Sequence, residues 1–424
     1  MHPYVQILKD ELTAAMGCTE PIAIAYAAAL ARNTLGAMPD RVTVQVSRNI
    51  IKNVKSVIVP NTGGLHGVEA AVAAGIVMGD PALELEVLSH VSSEGQADIR
   101  VFMENVPISV SQSKSNELFE IDISAAHEAD TAEVIIRGFH TNVVLIKKNS
   151  SIVSEQKPQA ANYCQAREPS NKALLEQLTV AGIVSFADTA DIEEIRAVLD
   201  RQIACNMAIA EEGLRGNYGA NIGKVLLATY GDSIMIRARA KAAAASDARM
   251  NGCEMPVVIN SGSGNQGITV SVPVIEYARE LGVSRDKLYR ALIVSNLCAI
   301  HLKSGIGCLS AYCGAVTAGC AAGAGIAYLH GGGLDVVSHT LVNALAIASG
   351  IICDGAKSSC AAKIAAAVDA GLLGWSMYQN GQEFHGGEGI VEKGVENTIH
   401  NIGRLGHDGM RGTDEEIIKI MLNQ

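Results

Sequence analysis

The chain has 424 residues, enough for two or three domains with sizeable cores. Its formal charge is −11 and no Lys/Arg cluster stands out, which argues against a nucleic-acid or anionic-membrane partner. Hydrophobic residues make up 48% but aromatics only 4%, beside 42 glycines. The core must therefore be built from Ala, Val, Ile and Leu, with backbones in close approach.

The opening MHPYVQILKDEL alternates charge and apolarity like an amphipathic helix and lacks the basic-then-apolar layout of a signal peptide. A cytoplasmic setting is expected, in which thiols stay reduced and ten cysteines serve something other than disulfides. Helix is expected over residues 1–35, broken at Gly17-Cys18-Thr19-Glu20-Pro21. Val42, Val44 and Val46 alternate with polar residues, the pattern of a half-buried strand. Val57-Ile58-Val59 reads as a second strand ending at Pro60. The loop Asn61-Thr62-Gly63-Gly64 then leads to an Ala-rich helix beginning near His66. Further strands are expected at Ile99–Met103, Leu118–Ile123, Ala132–Ile136 and Val143–Ile146, the last two joined as a hairpin across Gly138 and Asn142.

Residues 150–172 are polar, contain two prolines and read as a linker. Beyond them the pattern is helical, with high-propensity Ala runs at 238–245 and 361–370. Thr413-Asp414-Glu415-Glu416 reads as a capping box opening a final helix. Residues 304–329 carry no charge and 336–353 only His339; the first is rich in Gly, Ala, Ser and Cys, a poor lipid-facing surface, so buried helices are expected and no membrane span. The fold class is α+β. An N-terminal helical segment, 1–35, carries Cys18 and is expected to pack on the helical domain. An α+β domain with a short mixed sheet follows at 36–160, and a large, mainly helical domain at 161–424.

The richest chemistry lies in Cys308-Leu-Ser-Ala-Tyr-Cys313-Gly-Ala-Val-Thr-Ala-Gly-Cys320 and Cys353-Asp-Gly-Ala-Lys-Ser-Ser-Cys360. Paired zinc knuckles and tightly spaced ferredoxin cysteines are both missing. Widely separated cysteines leave two readings open: buried packing residues, or three thiolates on an iron–sulfur cube whose fourth iron stays open as a Lewis acid. Cys18 is either a small residue in a tight turn or a reactive thiolate with a lowered pKa; Glu20 beside it is a second candidate base or a solvent-facing carboxylate. Asn260-Ser-Gly-Ser-Gly-Asn-Gln-Gly267 is a Gly-rich loop able to aim N–H groups at an anion. A carboxylate or a phosphate would satisfy such groups, and so would an ordinary loop; Ser261, Gly262 and Asn265 there, with Asn61, Thr62 and Gly63, are the candidate substrate contacts. His66, His301, His330, His339 and His385 are read as structural, with His330 and His339 the first to test.

From Gly307 to Ala366 the chain resembles the α-subunit region of bacterial iron–sulfur L-serine dehydratases, and more closely the L-cysteine desulfidases with their uncharacterised bacterial relatives. The likeness is carried by Gly17-Cys18-Thr19-Glu20-Pro21, Pro60-Asn61-Thr62-Gly63-Gly64, Asn260 to Gly267, Ala311-Tyr312-Cys313-Gly314-Ala315-Val316, and Cys353-Asp354-Gly355 with Cys360. The resemblance implies a [4Fe-4S] cluster held by Cys313, Cys353 and Cys360, with Cys308 and Cys320 as rivals for the first place. Cys164, Cys205, Cys253 and Cys298 are expected to be packing residues. It implies Cys18 as the base that removes the substrate α-proton. The expected activity is β-elimination from a small L-amino acid by an oxygen-sensitive homo-oligomer: L-cysteine by preference, L-serine as the alternative. Two rivals remain: a pyridoxal-phosphate lyase with Lys303 or Lys357 as Schiff base, and a non-enzymatic iron–sulfur redox sensor.

Overall fold

The computed structural model describes residues 2–115, 117–156, 173–307 and 310–422. Helix α1 (Pro3–Glu11) opens on His2, whose Nδ1 accepts the Tyr4 N–H at 3.2 Å. It buries Tyr4, Val5, Ile7 and Leu8 in the core of the helical region. The chain then forms a short strand that the sequence did not announce, β1 (Ala14–Met16), paired antiparallel with β8 (Pro256–Val258). Past Cys18 it enters α2 (Thr19–Leu35), whose Ile22, Ile24 and alanines lie in a different core, beneath the sheet. Gly36 ends that helix at φ 82°, the left-handed position that favours glycine. Cys18 thus stands where the chain passes from the helical core to the sheet core.

The sheet joins β2 (Arg41–Val46), β3 (Ile108–Gln112), β4 (Glu120–His127), β5 (Asp130–Arg137), β6 (Val143–Lys148) and β7 (Ser151–Glu155) in the order β3-β2-β4-β5-β6-β7. Only β2 and β3 run parallel, so the sheet is mixed. In β2 the alternation is the expected one, with Val42, Val44 and Val46 buried and Arg41, Thr43 and Gln45 exposed. Against this face lies α2, itself backed by α4 (Val68–Met78). An added Cβ on Gly75 would fall 2.1 Å from the Ala25 carbonyl oxygen, so these two helices touch backbone to backbone.

Three local expectations fail for identifiable reasons. Ile99–Met103 belongs to a helix, α5 (Ser93–Asn105), capped by Ser92 Oγ accepting the Gly95 N–H. Ile99 and Phe102 are buried three residues apart, a helical rather than a strand spacing. Val57–Val59 forms no strand: Ile58 makes one isolated bridge to His66, because the chain turns back tightly through Asn61 at φ 59°. The final helix, α16 (Arg411–Leu422), opens before Thr413, with the Asp414 N–H already bonded to the Met410 carbonyl, so the supposed capping box lies inside it. β7 occupies the front of the stretch read as a linker; residues 157–172 of that stretch lie outside the described residues.

The helical region contains α6 (Val180–Thr189), α7 (Arg196–Arg215), α8 (Ile222–Tyr230), α9 (Ile234–Met250), α10 (Gly264–Leu281), α11 (Arg285–Ile306), α12 (Gly314–Leu329), α13 (Leu334–Ala348), α14 (Cys360–Gln379) and α15 (Val395–Arg404). The uncharged stretches read as core helices are largely α12 and α13, and α12 is packed by α10, α11, α13 and α14. Among the described residues one helix, α14, is long and apolar enough to cross a membrane by length and composition, and it packs against α9, α12 and α13. Its seam with α12 is made of backbone: Cβ atoms added to Gly319 and Gly323 would lie 2.4 Å from Ala367 C and 2.5 Å from Gly371 O. The scarcity of aromatics and the abundance of glycine find their meaning there.

Candidate active site

Cys313 and Cys353 come from segments paired by their backbones. The Cys313 N–H donates to Ile351 O at 3.2 Å, the Cys353 N–H donates to Ala311 O at 2.7 Å, and Tyr312 bridges Ile352 between them. Cys313 is the N-cap of α12, and Cys360 is the first residue of α14. The connecting loop is drawn in by Asp354, which pairs with Lys357 Nζ at 2.5 Å and with Lys363 Nζ; Lys363 also donates to Ile352 O at 2.8 Å. Burial, then the neighbouring Cys353, pushes the Cys313 thiol up to about 12, and Cys360 also acts on it. Burial likewise raises Cys360, with Cys353 adding to the effect. Cys353 thus acts on both Cys313 and Cys360, and Lys363 lies at the edge of the group.

Cys18 is 2% exposed and packs with Val57, Met250 and Cys360, so the fourth cysteine joins the same place from the opposite core. Its Sγ donates to Glu20 Oε2 at 3.0 Å, while Asn53 Nδ2 donates to Glu20 Oε1 at 2.9 Å. Burial and the Glu20 charge raise the Cys18 thiol well above its ordinary value. The reading of Cys18 as a thiolate with a lowered pKa is thereby corrected: in this structure it is a thiol held to a carboxylate. Glu20 does not simply face solvent. Burial pushes it up, but nearby His140 and the Cys18 hydrogen bond outweigh this and hold the carboxyl below its ordinary value.

Arg249, at the end of α9, is 3% exposed and acts electrostatically on Cys18, Glu20 and His140. Sequence reasoning missed Arg249, His140, Asn53 and Gln266. Each is an ordinary residue in an ordinary run, brought in only by tertiary packing.

The loop candidates divide. Gly262 O accepts Thr19 Oγ1 at 3.3 Å and Asn265 Oδ1 accepts Arg249 Nη1 at 3.2 Å, which ties the 260–267 loop to the Cys18 turn. Ser261 Oγ donates to Asn260 Oδ1 at 2.9 Å. The 61–64 loop also abuts the turn, since a Cβ on Gly17 would fall 2.1 Å from Pro60 Cγ. Its polar groups, however, serve the loop itself: Asn61 Nδ2 donates to Leu88 O, Thr62 Oγ1 to Val59 O, and Gly63 O accepts Arg100.

Cys320 and Cys298 are buried among the core helices, Cys253 is buried and Cys205 half-buried. Cys308 and Cys164 lie outside the described residues. His330 is packed on Trp375 and Tyr277, His339 pairs with Glu383 at 2.5 Å, and His301 with Glu396 at 2.7 Å. His385 also faces Glu383, and His66 contacts its own loop at Gly64 O.

A mixed sheet lies beside a helical bundle, with thiols and a carboxylate gathered at their junction. The serine dehydratase alpha chain family matches residues 83–419, and the chain belongs to it. It is 57% identical over 421 residues to a UPF0597 protein of Desulfitobacterium hafniense, covering 99% of this chain and 96% of that one. UPF0597 proteins of Lachnoclostridium phytofermentans and Finegoldia magna are 48% and 46% identical, over 99% and 100% of both chains respectively. The relationship to the dehydratase alpha region therefore runs well beyond the 307–366 segment on which the sequence motifs concentrate.

Proposed function

We propose that this protein is a β-eliminating lyase that converts L-cysteine to pyruvate, ammonia and sulfide, with L-serine as the alternative substrate giving water instead of sulfide. The observation that carries the reading is the meeting of Cys313, Cys353 and Cys360 with the Cys18–Glu20 pair at one buried junction. Membership of the serine dehydratase alpha chain family supports the reaction class.

The donor set fits a [4Fe-4S] cluster. Among the described residues no three His, Cys, Asp or Glu side chains converge as ligands of a single metal ion. A cube makes a different demand, because each cysteine binds its own iron at a separate corner. One buried and two half-buried thiols answer that demand, and Cys313, Cys353 and Cys360 would hold the group. When bound, its uncoordinated iron would supply a Lewis acid to the β-substituent.

The chain's own residues handle the proton. Cys18, as its thiolate, takes the substrate α-proton, and Glu20 orients its Sγ through their hydrogen bond. The Cα–H electron pair forms the Cα–Cβ double bond while the Cβ–S bond breaks toward sulfide. The enamine product tautomerises and is hydrolysed by water, releasing ammonia and pyruvate. Apolar Val57 and Met250 keep the thiol away from water, so proton transfer competes less with solvent.

The test is an anaerobic assay of ammonia, pyruvate and sulfide from each amino acid, alongside iron and acid-labile sulfide content. Iron-bearing protein that releases ammonia from neither substrate would sink the reading. Active, iron-free protein with a borohydride-reducible lysine would establish the pyridoxal rival. Lys357 is already engaged by Asp354 and by Asp354 O and Gly355 O at 3.1 Å each.

A further inference from the structure

Arg249 poses an electrostatic problem that the fold alone does not solve. A guanidinium keeps its charge in proteins, and burying it without an anion is costly. Yet Arg249 is 3% exposed, with its Nε unpartnered among the described residues. Its hydrogen bond is to a neutral amide, from Nη1 to Asn265 Oδ1 at 3.2 Å, and no carboxylate among the described residues lies within 4.0 Å of it. The space it occupies has been cleared: a Cβ on Gly264 would fall 2.3 Å from that same Nε.

The surroundings are those of an anion site. Four helices, α2, α10, α12 and α14, begin here, and among the described residues none has an N-cap side chain bonded to its first turn. Thr19 ties the start of α2 to the loop before α10, and Gly314 at the start of α12 lies under Gln266, where a Cβ would meet Gln266 Cδ at 2.7 Å. Cys360, opening α14, packs against the cluster of Cys18, Val57 and Met250. Positive helix ends and a buried guanidinium together favour a bound carboxylate or similar anion. Among the described residues a second buried group also lacks a partner, Gln266 Oε1, an acceptor able to receive an ammonium N–H.

We infer that Arg249 is the substrate-carboxylate anchor of this site, with Gln266 receiving the α-ammonium, so that the ligand class is the free α-amino acid. The assignment deepens the proposed lyase reading and rests on it for the ligand's identity. A planar guanidinium fork grips a carboxylate through two N–H groups. Fixed there, the amino acid would have its Cα beside Cys18.

The test is by binding, independent of turnover. L-Alanine lacks a leaving group, and alaninamide lacks the carboxylate. L-Alanine is expected to raise the thermal midpoint of the iron-loaded protein in a dose-dependent way, and alaninamide is not. Arg249→Met should abolish that response while retaining iron and folding at least as stably, since it removes an unpaired buried charge. Arg249→Lys keeps charge without the fork and should weaken L-alanine binding at least tenfold. No shift with L-alanine in the wild type, an equal shift with alaninamide, or an undiminished shift in both variants would overturn the assignment. An L-alanine shift lost in Arg249→Met, from protein that eliminates neither L-cysteine nor L-serine, would keep the carboxylate site and remove the lyase reading. Turnover of L-cysteine with an unchanged KM in Arg249→Lys would do the reverse.

Discussion

Cys18 Sγ lies 3.0 Å from Glu20 Oε2, a thiol and a carboxylate two residues apart at the opening of one helix. The pair makes two separable demands on a variant. Cys18→Ala removes the group that touches the substrate proton and should lower turnover by roughly 10²–10⁴-fold. Glu20→Gln keeps the thiol but removes the charge that raises its pKa, so the alkaline rise of its pH–rate profile should move to lower pH. Both proteins should keep their iron and colour, measured by metal content and absorbance. A Cys18→Ala protein that loses its iron would instead make Cys18 a fourth ligand and close the open site.

Ligands behave differently from bases. Cys313→Ser, Cys353→Ala and Cys360→Ala should each yield protein depleted in iron and activity together. Cys320→Ala should keep both, because Cys320 is buried in the helical core. Iron content after anaerobic reconstitution separates these cases. Iron lost from Cys320→Ala but kept in Cys313→Ser would move the first ligand along α12.

Much of this arrangement was legible in the sequence, and the remainder was hidden for physical reasons. The β2 alternation and the β5–β6 hairpin could be read because one face of the sheet is buried. Ile99 and Phe102 were misread because five residues of a short helix, taken alone, do not fix a period. Cys18, Cys313, Cys353 and Cys360 stood out because cysteine and glycine in unusual contexts carry local signals. Arg249 and Gln266 did not, since their significance is one atom each, Nε and Oε1, left without a partner among the described residues, and only packing reveals that. The state of Cys18 was misjudged for the same reason. A helix N-terminus lowers a thiol pKa, but burial beside Glu20 raises it more.

Asp122 offers a test of the sheet domain far from this chemistry. On β4 it is raised to about 6 by burial, then by Glu133 and Glu120, against the opposing charges of Arg137 and Lys147. A carboxyl whose folded pKa exceeds its unfolded value, near 3.9, binds its proton more tightly when folded. Stability from this group therefore falls as pH rises from about 4 to about 6, and stays lower above. Asp122→Asn should raise the thermal midpoint at pH 7.5, with the gain vanishing near pH 4. An equal gain at both pH values would show that the effect is not one of charge.

The seam between α12 and α14 links packing to the site most directly. A Cβ on Gly371 would lie 2.3 Å from Gly319 O, and one on Gly323 2.5 Å from Gly371 O, so the obstacle on each side is backbone that cannot rotate away. Any larger side chain must push the helices apart. Overpacking of this kind typically costs 1–3 kcal/mol and sometimes more. The two helices carry Cys313 at the N-cap of one and Cys360 at the start of the other, so separating them displaces two of the three proposed ligands. Gly371→Leu should therefore lower the thermal midpoint by several degrees and also release iron at temperatures where the protein is still folded by circular dichroism. Gly333→Ala is the control, because its added Cβ meets nothing within 4 Å; it should leave both properties unchanged. If Gly371→Leu unfolds in a single step with iron retained up to the transition, the cysteines are held by their own loops, through the Ile351–Cys313 and Ala311–Cys353 hydrogen bonds, and the helix seam sets stability alone.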